Sequence, residues 1–274
     1  MKIDIVPGFD SPLMAAVTGR DLEMAVMVRE AIGKKRLRLA WQPVVSANDL
    51  SRVAFYEGLM RVMDETGRII PARDFMPAVE ANELGRLIDC AALEMGLRTL
   101  MRFPRARISI NMSARSIGYP RWLRLLRKAL SVHPTLGERL ILEITESSAM
   151  QVPELVIAFM DEMQAAGIAF ALDDFGAGQT AFRYFRDFFF DILKIDGQFV
   201  RNVYRNPDNQ ALMQALLSIG HHFDMMTVAE SVETPQDAEW LRQAGLGGLQ
   251  GFLFGAPSIR PPWEGEAGKE RKSA

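Results

Sequence analysis

The chain has 274 residues, 32 Lys and Arg against 34 Asp and Glu for a formal charge of −2, and 49% hydrophobic residues. That apolar fraction excludes a disordered chain, and the near-neutral charge offers no basic attraction to nucleic acid or to an acidic membrane. No apolar run approaches the roughly 18 residues that a transmembrane helix needs. The single cysteine, Cys90, cannot form an internal disulfide, and the start MKIDIVPGFDSP lacks a basic region followed by an apolar stretch. A cytoplasmic protein without a leader is expected.

Residues 1–19, which include Pro7, Gly8, Pro12 and Gly19, read as an irregular lead-in; 20–260 read as one domain and 261–274 as a flexible polar tail. Strands are expected at 37–45, 52–57, 107–112, 140–144, 168–173, 191–195, 226–230 and 248–251. Helices are expected at 21–33, 71–82, 84–101, 120–132, 153–166, 209–223 and 235–244. Pro153 and Pro235 suit a first helical turn, Thr234 suits an N-cap, and Gly167 and Gly245 fall where helices end. Strand then helix, repeated, argues for a parallel sheet, and eight strands in this length favour closure. The first two strands are joined by only residues 46–51, too few for a crossover, so that pair should be antiparallel. The expected fold is α/β, a modified TIM-like (β/α)8 barrel with one antiparallel strand.

Polar residues close seven of these strands. They are Glu57; Asn111; Glu143 with Glu146; Asp173-Asp174; Lys194 with Asp196; Glu230 with Glu233; and Gln250. In a barrel the C-terminal strand ends share one rim, where active sites are built. Convergent carboxylates raise one another's proton affinity unless cations neutralise them, and Lys194 alone cannot balance so many. An oxygen-only set without His or Cys suits Mg²⁺ or Mn²⁺. Adjacent Asp173 and Asp174 would let one carboxylate bridge two ions about 3.5–4 Å apart, an arrangement suited to in-line displacement at phosphorus. Lys194 would orient the attacking water or stabilise developing charge. These residues reach metal-dependent phosphoester hydrolysis without naming the ester.

At the same positions the sequence resembles the EAL-domain family, phosphodiesterases of the bacterial second messenger cyclic di-GMP. The matching segments, in family order, are WQPVV, YEGLMR, INMS, LEITES, FALDDFGAGQ, DILKIDGQFV, VAESVE and LQGFLFGAP. The resemblance implies that Glu57, Asn111, Glu143 and Asp173 hold one metal ion. Asp173 and Asp174 would be at the second, with Glu230 acting nearby through water. It implies that Lys194 contacts the nucleophilic water, so that Glu57, Lys194 and Glu230 carry catalysis. Gln42, Arg61, Asn111, Asp196 and Gln250 would surround the substrate; Glu146 would anchor the loop after Asp174, with Glu233 as a supporting acid. The implied reaction opens cyclic di-GMP to linear pGpG and lowers the messenger's level. Its alternative is a non-hydrolysing cyclic di-GMP receptor or interaction module. A homodimer is implied, and a regulatory protein partner is left open.

The chain departs from the family pattern at Gly58, where alanine is usual, at Ser231, where glycine is common, and at Ala177, Gln179 and Ala181 in the loop after Asp174. Phe188-Phe189-Phe190 replaces a stretch that commonly holds proline and reads as core or as a dimer surface. Cys90 reads as buried packing and His221-His222 as ordinary helix residues. Arg121, Arg124, Arg127 and Lys128 read as a solvated basic face.

Overall fold

The computed structural model describes residues 12–176, 186–261 and 263. Its first element, α1 (Pro12–Gly33), begins well before the expected residue 21, so residues 12–19 belong to a helix rather than to an irregular lead-in. The reason lies in the sequence: Pro12 occupies the first turn, where its missing N–H costs nothing.

Then come β1 (Leu37–Ser46) and β2 (Val53–Met63), paired antiparallel as their short connection requires. β2 runs six residues beyond Glu57, where its end was expected, and pairs with a short strand, β3 (Ile69–Pro71), that was not anticipated. Asp64 makes that turn, its Oδ1 accepting from the backbone N–H groups of Thr66 and Arg68 at 2.9 Å each. Next are α2 (Ala72–Val79), α3 (Glu83–Arg102), β4 (Ile108–Asn111), α4 (Pro120–Val132) and β5 (Leu140–Thr145). They are followed by the short α5 (Glu146–Ala149), α6 (Pro153–Gln164), β6 (Ala169–Phe175) and β7 (Ile192–Ile195). The last are α7 (Gly197–Val200), α8 (Pro207–His222), β8 (Met226–Ala229), α9 (Pro235–Gln243) and β9 (Gly248–Gln250). Thr234 caps α9 as expected, accepting from Asp237 N–H at 3.1 Å and donating to its carboxylate at 2.7 Å. Gly167 and Gly245 adopt φ of +85° and +96°, the left-handed conformation that ends a helix.

The strands close in the order β1-β9-β8-β7-β6-β5-β4-β2 and back to β1, with β3 appended to β2. Only β1 runs against both barrel neighbours; β2, β4, β5, β6, β7, β8 and β9 are mutually parallel. This is the expected eight-stranded barrel with one antiparallel strand.

Two apolar masses hold it. The larger lies between the strands and the surrounding helices and includes Ile108, Ile110, Leu142, Ile144, Leu172 and Leu193. The smaller lies inside the barrel: Val44, Phe55, Ile141, Ala171, Ile192 and Val228, all at most 5% exposed. Each such side chain larger than alanine contributes about 1.5–3 kcal/mol by leaving water. The β1–β2 hairpin carries no helix of its own. Its outer face is covered from the C-terminal side by Trp263, which meets Trp41 and Tyr56 edge-on, with ring centroids 5.1 Å away in both cases. Phe188 and Phe190 are buried while Phe189 is exposed, so that run divides between core and surface.

Candidate active site

Side chains alternate along a strand, so the residue two positions beyond each inner apolar residue also points into the barrel. For Phe55, Ile141, Ala171, Ile192 and Val228 those residues are Glu57, Glu143, Asp173, Lys194 and Glu230. All five converge at the barrel's C-terminal rim. Lys194 is fully buried at the centre, its Nζ lying 2.7 Å from Glu143, 2.7 Å from Glu230, 2.9 Å from Asp173 and 3.4 Å from Glu57.

Glu57 is also held from both sides. Asn111 Nδ2 donates to its Oε1 at 2.7 Å, and Gln250 Nε2 donates to its Oε2 at 2.6 Å. Gln250 reaches Gln42 Oε1 at 3.3 Å as well, and Gln42 donates to the Gly255 carbonyl at 3.1 Å. Gly58 beside this acid is a packing requirement here. A β-carbon on it would fall 2.8 Å from Ile110 Cδ1 and 2.9 Å from Trp41 Cζ3, so these side chains occupy the space an alanine methyl would take.

One ammonium faces more carboxylate charge than it can neutralise, and the proton affinities show it. Burial, and after it the Glu57 charge, pushes the Glu143 carboxyl up to about 8. Burial and then Asp173 push Asp174 up to about 6. Glu230 is raised well above the ordinary carboxylate range, chiefly by burial. For Lys194 burial acts downward, but Asp173, Glu143, Glu230 and Glu57 together outweigh it and hold the ammonium charged. The acids fall into two groups whose oxygens lie within 4.8 Å of one another: Glu57, Glu143 and Asp173, and Asp173, Asp174 and Glu230. Asp173 belongs to both. Glu143 Oε1 is buried without a hydrogen-bond partner, a lone pair available to a cation. The donor set is oxygen throughout, which fits a hard divalent ion.

Asp174 and Ser231 hold φ of +54° and +55°, conformations that cost a side-chain-bearing residue about 1–2 kcal/mol. At Asp174 this irregularity within β6 sends adjacent carboxylates in different directions, Asp173 into the barrel and Asp174 to the exposed mouth. Glu146 accepts from Gly176 N–H at 3.3 Å, consistent with an anchor for the segment that follows; the variant positions Ala177, Gln179 and Ala181 lie outside the described residues. Asp196 stands apart from the cleft: its Oδ1 accepts from Gln198 N–H at 2.8 Å and caps α7, although its charge reaches Asp174.

The acids floor a cleft of about 610 Å³, which Gln42, Arg61, Gln250 and Glu233 also line. That volume suits a ligand of nucleotide size. Sequence reading missed other lining residues, among them Asp89, Arg73 and Arg115. Asp89 had a signal, a lone charge within the apolar run LIDCAAL; its Oδ2 accepts from Ser113 N–H at 3.0 Å and Ser116 Oγ at 2.6 Å, which ties α3 to the turn after Asn111.

Comparison with known proteins agrees with this geometry. A family model described as the EAL domain matches residues 25–257. The bifunctional diguanylate cyclase/cyclic di-GMP phosphodiesterase MucR of Pseudomonas aeruginosa is 29% identical over 249 residues, 89% of this chain and 36% of MucR. Cyclic di-GMP phosphodiesterase PdeB of Shewanella oneidensis is 29% identical over 237 residues, 85% of this chain and 28% of PdeB. The chain thus spans about a third of the length of the curated relatives it matches. Among solved structures, the PaMucR phosphodiesterase in complex with c-di-GMP superposes with a TM-score of 0.75 at 28% identity, over 88% of this chain and 99% of that one. The FimX EAL domain from P. aeruginosa bound to c-di-GMP shares the fold, with a TM-score of 0.78 at 23% identity over 87% of this chain and 97% of that one. Among the described residues, no helix is long and apolar enough to cross a membrane.

Proposed function

The chain belongs to the EAL domain family, and from that premise we propose that it is a cytoplasmic phosphodiesterase that hydrolyses cyclic di-GMP to linear pGpG with two Mg²⁺ or Mn²⁺ ions. The observation that carries this reading is the pair of carboxylate groups sharing Asp173 around buried Lys194. Neither a binding protein nor an isolated interaction module has a use for so much uncompensated charge.

Glu57, Asn111, Glu143 and Asp173 would hold the first ion, and Asp173 and Asp174, with Glu230 nearby, the second. When bound, the ions neutralise the acids, acidify water and stabilise the leaving oxygen. Lys194 orients the attacking water; in the metal-free site the carboxylates around it favour its ammonium form. The attacking water releases a proton to solvent as its oxygen bonds to phosphorus, the P–O3′ bond breaks, and the 3′ oxygen takes up a proton from solvent. Asn111 and Gln250 fix the Glu57 carboxylate, and Gln42 positions Gln250. Arg61 projects from the same face of β2 as Glu57, above the rim, and meets the nucleotide. A homodimer is the assembly expected of the family.

The test incubates purified protein with cyclic di-GMP and Mg²⁺ or Mn²⁺ and resolves the products by chromatography, beside Glu57→Ala and an EDTA-treated sample. Conversion to pGpG that drops at least about a thousandfold in both controls is expected. Tight binding without any product would replace hydrolysis with a receptor function.

A further inference from the structure

The mouth of the barrel is not uniformly acidic. Carboxylates make its floor, whereas the flank built by β2, α2 and the turn after β4 presents Arg61, Arg73 and Arg115 to the same cleft. The three come from separate elements: Arg61 from β2, Arg73 from the first turn of α2, and Arg115 from the 3-10 turn Ala114–Ser116. The β2–β3 pairing sets Arg61 opposite Pro71, two residues before Arg73, and so brings the first two together. Burial lowers the proton affinity of the Arg61 guanidinium; Glu57 opposes this and the Arg73 charge adds to it.

Arg73 is not explained by the needs of the fold. A cation in the first turn of a helix opposes the helix dipole. The Arg73 side chain is 83% exposed, and the Asp74 carboxylate beside it is 3.7 Å away. Arg115 donates from Nη1 to the Ala81 carbonyl at 2.7 Å, which fixes its guanidinium at the wall of the cleft. Among the described residues, no carboxylate lies within 4 Å of Arg61 or Arg115. Arg61 and Arg115 are thus cations without a carboxylate partner among the described residues, and Arg73 has only the exposed Asp74.

A cyclic dinucleotide carries two phosphates. With one at the Lys194 floor, the other must rest elsewhere in the cleft, and Arg61, Arg73 and Arg115 are the cations among the described residues that line it. Guanidinium forks match phosphate oxygens in shape as well as charge. Resting on the phosphodiesterase reading above, we infer that Arg73 and Arg115 extend Arg61 into a second anion subsite, which holds the phosphate that is not cleaved. This subsite selects substrates with two phosphates over simple phosphodiesters.

The experiment compares wild type, Arg73→Gln and Arg115→Gln in steady-state kinetics with cyclic di-GMP and with bis(p-nitrophenyl) phosphate, which has a single phosphate. Cyclic di-GMP affinity is also measured by calorimetry with Ca²⁺ in place of Mg²⁺. Arg73→Gln should raise KM and Kd for the dinucleotide about five- to twentyfold, the range of a partly screened charge-assisted contact. It should move kcat far less, and KM for the single-phosphate diester by less than about twofold. Its thermal midpoint should hold or rise, which separates the effect from damage to the fold. Wild-type turnover with equal KM shifts on both substrates, or with none, overturns the subsite and leaves hydrolysis standing. Dinucleotide binding that depends on Arg73 without turnover overturns hydrolysis and leaves the subsite. A wild type that neither binds nor cleaves the dinucleotide overturns both.

Discussion

Inside the barrel, Phe55, Ile141, Ala171, Ile192 and Val228 form a wholly apolar layer, and two residues further along the same strands come Glu57, Glu143, Asp173, Lys194 and Glu230. On β1 the order is reversed, Gln42 preceding Val44, because that strand alone runs the other way. One step of strand pleat therefore separates a layer that lowers the energy of the fold from one that raises it. The lower layer needs only volume and apolarity. In the upper layer, buried acids face one another around a single ammonium, a cost that bound cations or protons relieve. Stability and reactivity occupy the same strands but not the same residues.

The largest effect should come from removing the ammonium. Lys194→Met should cut turnover about a hundred- to a thousandfold, measured with saturating Mg²⁺. It should also lower the stability of the metal-free protein by about 3–5 kcal/mol, since buried charges then lose their partner. Ile141→Ala, one layer below, should break the comparison the other way. Chemical denaturation should show a loss of about 2–5 kcal/mol, while turnover per folded molecule falls only a few fold.

Acidity sharpens the contrast. In the folded, metal-free protein Glu143 keeps its proton up to about pH 8, whereas its ordinary value is 4.5. The folded state thus binds the extra proton between those values, and its contribution to stability is complete below pH 4.5 and drains away as pH rises through about 8. Melting in EDTA should therefore occur at lower temperature at pH 8.5 than at pH 5.5, and Mg²⁺ should flatten that slope by replacing the proton. The smallest effect is expected at Ser231, whose φ of +55° a glycine would adopt freely. Ser231→Gly should raise stability by about 0.5–1 kcal/mol, read from the denaturation midpoint.

Much of this was legible in the sequence because both layers obey a period of two. Glu143 follows Ile141 and Lys194 follows Ile192 in plain text, and the strand ends come in order along the chain. What could not be read was local or distant. β3 has three residues, too few to show alternation, so β2 was expected to stop at Glu57 rather than carry Arg61 over the rim. The start of α1 at Pro12 was hidden by turn-forming residues around it. Arg73 and Arg115 gave no signal, because a guanidinium that lines a cleft looks the same in sequence as one that faces water. Their common wall depends on the β2–β3 hairpin and on the bond from Arg115 to Ala81.

Closure of the barrel also bears on the order in which the protein can come to work. The β1–β2 hairpin can form as soon as the ribosome releases it, but β1 completes its pairing only with β9, where Val44 meets Gln250. That late seam delivers Gln250 to Glu57 across a sequence separation of 193 residues. Contacts so far apart in sequence form slowly, and until they form Glu57 lacks one of the two amides that fix it. A nascent chain stalled before residue 248 would leave the edges of β1 and β8 unpaired and the cleft unfinished, so that synthesis of the last strand, rather than of any acid, is the step at which this barrel becomes competent.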